Sequence, residues 1–382
     1  MKAVKKSRLK IAVVANTSWY IFNFRLNLLQ ILRKEGHDLV VIAPTDKYAH
    51  RLEVQGFSCR HLPLDGSGTN PLSELRSLLT LRRILHLEKV DLILSYTPKG
   101  NIYAGLAILG CQTRIVANIS GLGRVFVKRN WLTLLARVLY RFALGRAFWV
   151  FFQNEDDRQI FTADRIVDHK KTERIPGSGV DLSHFLPIEG GIRAELDAPV
   201  FLLVARMLWD KGVGEFVEAA RIIRMYNPAI RFQLLGYLDD ANTSAVPREK
   251  VEEWVNVGLI EYLGTADDIR PYLGSSDCVV LPSYYREGVP RSLLEAAAMA
   301  KPIITTNSTG CRDTVDDNVT GFLCQPRDAH DLSDKMLLFL HMTKEDRQAM
   351  GLRGREKMIG EFDEKYVLDC YIEVIDKLLN HE

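Results

Sequence analysis

Residues 278–306 read CVVLPSYYREGVPRSLLEAAAMAKPIITT. A four-residue apolar run, Cys278–Leu281, stops at Pro282, and a second, Ile303–Thr306, starts after Pro302. Between them lie a loop rich in turn residues and a helix-length segment beginning near Arg291. Two short apolar runs joined by a loop and a helix predict parallel strands with a crossover, covered on both faces. The same rhythm is found upstream at Val200–Ala205, Arg231–Leu235 and Ile260–Leu263, and earlier at Lys10–Ala15, Asp38–Ala43, Asp91–Ser95, Arg114–Asn118 and Phe148–Gln153. The two series are separated by 176–191, which holds Pro176, Gly177, Gly179, Pro187, Gly190 and Gly191 and reads as a linker. The expectation is an α/β chain of two Rossmann-like domains facing each other across a deep cleft at the carboxyl ends of their strands.

Size and composition agree. At roughly 150 residues per domain, 382 residues suit two domains, and 47 % hydrophobic with 26 % charged residues excludes disordered and fibrous classes. The net charge of +2 conceals a basic first half and an acidic second half. No acidic residue lies between Asp91 and Glu155, where Lys99, Arg114, Arg124, Lys128, Arg129, Arg137, Arg141 and Arg146 all fall. Such a half calls for an anionic partner: a phosphate-rich substrate, a nucleic acid or an anionic membrane face. Six scattered cysteines without a CxxC pair read as reduced thiols, and the apolar run after the basic N-terminus is too short for a signal peptide. The expected location is the cytoplasm.

Candidate chemistry concentrates beside the opening stretch. Glu287 and Glu295 are separated by seven residues, the first in the loop and the second about one turn into the helix. Carboxylates accept bidentate hydrogen bonds from vicinal sugar hydroxyls, and the first turn of a helix offers backbone N–H groups to a diphosphate. Upstream, the strand Val200–Ala205 runs into Arg206 and Lys211, two cations at a strand's carboxyl end. Charge placed there would neutralise a departing diphosphate. No Asp-x-Asp triplet occurs, and Cys59 with His61 makes two ligands at best, so no metal is implied.

These residues resemble glycosyltransferase family 4, retaining sugar-nucleotide enzymes of the GT-B fold. The likeness rests on ARMLWDKGVGEFVEAA from Ala205 and on EGVPRSLLEAAAMAKPIITTNSTGCRDTVDDNVTGFL from Glu287, and it extends over essentially the whole chain. The resemblance implies that Arg206, Lys211 and Glu287 are catalytic. It also implies a donor site of Arg206, Lys211, Glu287, Gly288, Val289, Pro290, Arg291, Ser292, Leu293 and Glu295, with Glu295 on the ribose. The donor implied is a UDP-sugar, a co-substrate, with no cofactor. A C-terminal helix, 361–382, would cross back to the first domain, leaving 1–185 as the acceptor domain and 186–360 as the donor domain.

The first domain is similar to the subgroup of bacterial enzymes that extend polyprenyl-diphosphate-linked sugars for surface polysaccharide or glycan assembly. The matching stretches are ANTSWYIFNFR from Ala15, YTPKGNIYAGLA from Tyr96 and NISGLGRVF from Asn118. They make Asn16, Ser18, Lys99, Asn101, Ser120, Gly121 and Gly123 the acceptor-side candidates. Paired glycines after the first strand and a His in the 118–123 loop, frequent in the wider family, are absent. Residues 126–152 join apolar, aromatic and basic side chains, as a helix lying on an anionic bilayer does, or as a core helix followed by a buried strand does. Lys128, Arg129, Trp131, Arg137 and Arg141 are the membrane candidates, on the inner face of the cytoplasmic membrane. A soluble transferase with a carbohydrate, small-molecule or protein acceptor and a non-catalytic sugar-binding protein are the alternatives. No GxGxxG follows the first strand, which removes the oxidoreductase fingerprint, and no nucleic-acid motif accompanies the basic half.

Overall fold

The computed structural model describes residues 8–64, 70–123, 131–188, 198–239 and 242–381. The chain forms two compact units: residues 1–178 with 365–382, and residues 179–364. The divisions fall at Ser178/Gly179 and Glu364/Lys365, where the sequence suggested 185/186 and 360/361.

In the first unit seven strands form one parallel sheet: β1 (Lys10–Val14), β2 (Asp38–Ala43), β3 (Ser58–His61), β4 (Leu92–Tyr96), β5 (Arg114–Ile119), β6 (Trp149–Phe152) and β7 (Thr172–Arg174). Their order is β3-β2-β1-β4-β5-β6-β7, so the winding reverses between β1 and β4. The helices are α1 (Ser18–Lys34), α2 (Lys47–Val54), α3 (Pro71–Leu87), α4 (Pro98–Ala107), α5 (Trp131–Leu144) and α6 (Glu155–Ala163). One face of the sheet is covered by α3 to α6 through Leu81, Leu85, Ala104, Tyr140, Ala143 and Phe161. The other is covered by α1 and α2 and by the C-terminal α13 (Glu364–His381), which contributes Val367, Tyr371, Val374, Ile375 and Leu378. Burial on both sides is why β4, LILSY, is apolar at every position but Ser95 instead of alternating.

In the second unit the strands are β8 (Val200–Val204), β9 (Arg231–Leu235), β10 (Glu261–Tyr262), β11 (Cys278–Leu281), β12 (Ile303–Thr306) and β13 (Gly321–Cys324), all parallel, in the order β10-β9-β8-β11-β12-β13. Its helices are α7 (Val213–Tyr226), α8 (Arg248–Asn256), α9 (Arg270–Ser275), α10 (Arg291–Ala298), α11 (Ala329–His341) and α12 (Lys344–Lys357). Here too the winding reverses beside the first strand, between β8 and β11. In a doubly wound sheet such a reversal leaves a crevice at the carboxyl ends of the two strands.

Candidate functional site

In the second unit, the loops leaving β8 and β11 are tied together by backbone. The Asp210 carbonyl accepts from Tyr284 N at 3.0 Å, from Tyr285 N at 3.1 Å and from the Ser283 hydroxyl at 3.1 Å. Gly212, with φ +77°, lies two residues after Asp210, and a Cβ there would stand 2.1 Å from the Pro282 carbonyl. Only glycine fits that approach, which sets Lys211 against the PSYYREG loop. The Lys211 ammonium pairs with the Glu287 carboxylate and lies 5.4 Å from the Tyr285 ring centroid. Glu287 is 8 % exposed, and its Oε1 also accepts from the Ser283 hydroxyl at 2.9 Å.

Arg206 leaves the end of β8 on the same side. Its Nη1 stands 3.2 Å from Asp239 Oδ2 in the loop after β9. Burial works against the guanidinium's charge, but neighbouring Tyr237 and Asp239 outweigh it and hold the group above its ordinary value. Each cation thus has a carboxylate partner.

The helix α10 starts at Arg291 after Pro290, which brings no side-chain acceptor to its first turn. One turn on, Glu295 accepts from Arg291 Nε at 2.8 Å. Burial pushes the Glu295 carboxyl up, and Arg291 pulls it back only in part. The loop after β12 braces this element: Ser308 donates to the Ser283 carbonyl at 2.9 Å, Thr306 bonds the same carbonyl, and Gly310, at φ +81°, passes so close that a Cβ would meet the Gly288 carbonyl at 1.8 Å. The structure therefore brings Arg206, Lys211, Glu287, Gly288, Val289, Pro290, Arg291, Ser292, Leu293 and Glu295 to neighbouring strand ends of one unit. Asp239 and the β12 loop belong to the same cluster, and sequence reading passed over both. The available signal was position: an acid four residues beyond β9, and a hydroxyl-rich loop directly after β12.

In the first unit, the corresponding reversal between β1 and β4 gathers the loops that follow those strands. Thr17 caps α1 by accepting from Tyr20 N at 3.1 Å, and Asn16 beside it is half-buried. The buried Ser18 hydroxyl donates to the Pro44 carbonyl at 2.8 Å and borders a cavity of about 290 Å³ with Asp46, His50, Cys59 and His61. Among the described residues no group of three His, Cys, Asp or Glu is arranged to hold a metal. After β4, Thr97 sits at φ +66°, a conformation costly for a β-branched residue and concentrated at functional loops. Lys99 pairs with Glu74 at 2.7 Å. Asn101 is 1 % exposed, with its amide engaged at both ends: Oδ1 accepts from Ser95 at 2.7 Å and Nδ2 donates to the Asn118 carbonyl at 2.8 Å. Asn118 in turn donates to the Tyr371 hydroxyl at 3.0 Å and accepts from Gln153 at 3.2 Å. Asn101 supports the loops rather than facing out of them. Ser120 is half-buried, and Gly121 and Gly123 both have positive φ.

Of the membrane candidates, Lys128 and Arg129 and the Trp131 side chain lie outside the described residues. Arg137 is held 3.1 Å from Asp164, whereas Arg141 is exposed. The inner face of α5 packs Tyr140, Ala143 and Leu144 into the core, so part of the core-helix reading holds. Its outer face shows Leu134 (65 % exposed), Leu135, Val138 and Phe142 (65 %). No described helix is long and apolar enough to cross a membrane.

Known proteins resemble this chain over both units. The family described as "Glycosyl transferases group 1" matches residues 189–357, and the "Glycosyl transferase 4-like domain" matches residues 24–177. The N,N'-diacetylbacillosaminyl-diphospho-undecaprenol alpha-1,3-N-acetylgalactosaminyltransferase of Campylobacter jejuni is 27 % identical over 98 % of this chain and 100 % of its own. The UDP-Gal:alpha-D-GlcNAc-diphosphoundecaprenol alpha-1,3-galactosyltransferase of Escherichia coli is 27 % identical over 83 % of this chain and 82 % of its own. Among solved structures, a glycosyltransferase from Rickettsia africae superposes with a TM-score of 0.77 at 19 % identity, over 99 % of this chain and 100 % of that one. The fold is GT-B.

Proposed function

Since this chain belongs to glycosyltransferase family 4, the retaining nucleotide-sugar enzymes, we propose that it moves a hexose or N-acetylhexosamine from a UDP-sugar to a polyprenyl-diphosphate-linked sugar. The setting is surface polysaccharide or glycan assembly, on the inner face of the cytoplasmic membrane. The observation that carries the reading is the convergence of two cations, Arg206 and Lys211, with two carboxylates, Glu287 and Glu295, at the strand ends beside the β8/β11 reversal. Relatives whose names specify undecaprenyl-diphosphate acceptors match 98 % and 83 % of the chain.

In this reading Arg206 and Lys211 bind the diphosphate, Glu287 the hydroxyls of the donor sugar and Glu295 those of the ribose, while residues 288–293 lead backbone toward the phosphates. The bond from the anomeric carbon to the diphosphate oxygen breaks with its electron pair on that oxygen. The acceptor hydroxyl then bonds to the same carbon from the same face, and its proton passes to the leaving diphosphate. The cations stabilise charge as it develops. The first unit supplies the acceptor side, with the loops at Asn16, Ser18, Lys99, Ser120, Gly121 and Gly123 held up by the buried Asn101–Asn118–Tyr371 network.

A peripheral membrane position is supported by α5 and α3 together. Both pack on α4. On α3 the outward residues are Leu72 (78 % exposed), Leu75 and Leu79, interspersed with Arg76 and Arg83. On α5 they are Leu134, Leu135, Val138 and Phe142 with Arg141. Apolar and basic residues on one outer face suit an anionic bilayer.

The deciding experiment incubates the protein with a panel of UDP-sugars, with and without a short polyprenyl-diphosphate sugar, in EDTA, and follows UDP release. Acceptor-dependent release is expected with one donor. Equal release onto a free water-soluble sugar would favour the soluble-acceptor alternative, and release restored only by Mg²⁺ would overturn the cationic diphosphate site.

A further inference from the structure

We propose that Asp239 is a product-release residue: a carboxylate that competes with the diphosphate for Arg206 and weakens the hold on spent UDP more than the hold on the UDP-sugar. The inference rests on the reading above, in which Arg206 is a diphosphate ligand. Arg206 Nη1 and Asp239 Oδ2 are 3.2 Å apart, with the arginine side chain about two-fifths exposed and the aspartate one-fifth. The same Oδ2 accepts from Asn242 Nδ2 at 3.3 Å, so the carboxylate has a second partner in its own loop when the guanidinium turns to another anion.

The magnitudes favour exchange over blockade. A partly exposed ion pair is weak, while a guanidinium binds a phosphate through two parallel charge-assisted hydrogen bonds. A diphosphate therefore displaces Asp239 from Arg206, but it does so next to a retained negative charge. A nucleoside diphosphate sugar carries two negative charges on its bridging phosphates. The free nucleoside diphosphate carries close to three near neutral pH, since a terminal phosphate has its second pKa near 6. The same carboxylate accordingly repels product more than donor. After transfer, Asp239 takes Arg206 back as UDP leaves. The Lys211 and Glu287 pair cannot do this separately, because Glu287 has a proposed task on the donor sugar, whereas Asp239 is left without one.

The test is calorimetric titration of uridine, UDP and a non-transferable UDP-sugar analogue into wild type, Asp239→Asn, Arg206→Ala and the double variant. For Asp239→Asn the expected result is about fivefold tighter UDP, a smaller gain for the analogue and no change for uridine, with the UDP gain shrinking in high salt. In the Arg206→Ala background the substitution should have a clearly reduced effect. Product inhibition by UDP should strengthen in step. Unchanged or weaker UDP binding by Asp239→Asn, with uridine unaffected, overturns the proposal. Loss of uridine and UDP alike also overturns it, since it makes Asp239 a structural residue of the loop. If wild type binds UDP and Arg206→Ala weakens it while Asp239→Asn does not tighten it, only this inference fails. If wild type does not bind UDP, the donor reading fails first.

Discussion

Lys211 and Glu287 illustrate what a single residue reveals in this chain and what it hides. Their types and positions at strand ends were readable in the sequence, as were Arg206 and Glu295. Their mutual pairing was not, because it depends on Gly212 letting the β8 loop lie against Pro282. Asn101 shows the reverse: an amide in a promising loop, yet its surroundings come from β5, seventeen residues on, and turn it inward. Lys211→Met keeps the aliphatic stem and removes the charge, so turnover should fall about a hundredfold or more, and the urea midpoint should fall too because Glu287 is left buried without its cation, as steady-state kinetics and equilibrium unfolding would establish. Glu295 makes a pH prediction. Burial raises its pKa in the folded protein, so the folded state retains a proton that the unfolded chain has already released. Stability therefore declines as pH climbs from the ordinary carboxylate range into the raised one. Glu295→Gln removes that decline. Its melting temperature should gain on wild type from about pH 4 toward neutrality and then run parallel, while affinity for the UDP-sugar drops.

Elements were legible in proportion to how completely they are buried. The central strands β1, β4, β5, β8 and β11 announce themselves as apolar runs. The edge strands β3, with the residues SCRH, and β7, with TER, are short and mostly polar, and β13 begins with glycine. Nothing in their composition separates them from loops, and only pairing with a neighbour makes them strands. For α5 the period was visible but its two apolar faces were not distinguishable. The fold assigns Tyr140 and Ala143 inward and Leu134, Val138 and Phe142 outward, and it ties Arg137 to Asp164. The membrane test consequently moves to Arg141 and Arg146, both exposed. Each cation near an anionic surface contributes about 1 kcal/mol, so Arg141→Glu with Arg146→Glu should reduce co-sedimentation with anionic liposomes by about thirtyfold or more. Transfer to a long-chain acceptor should slow while transfer to a short analogue persists. Wild-type sedimentation by the double variant would exclude this face.

At the scale of the molecule, the two Rossmann-like sheets and the restart between them followed from the spacing of apolar runs. The discontinuity of the first unit came from the family resemblance, which sends a C-terminal helix back to the first domain, and not from the spacing of apolar runs. That unit is interrupted after Ser178 and resumes at Lys365, and α13 seats Tyr371 against Tyr96 and Phe151 and under the Asn118 amide. A chain ending at residue 364 should therefore keep a cooperative transition for the second unit and lose the one for the first, with ring-current-shifted signals of Phe151 and Tyr96 absent from its NMR spectrum. The order of synthesis gives this arrangement a further meaning. On a ribosome adding about 5–20 residues per second, the first unit's strands emerge early yet wait roughly ten seconds or more for the segment that seals their sheet, while everything in the second unit is made in the meantime. The half of the protein born first is thus the last to close, and for that interval the apolar strip that α13 later covers, beside α1 and α2, is what a chaperone would find.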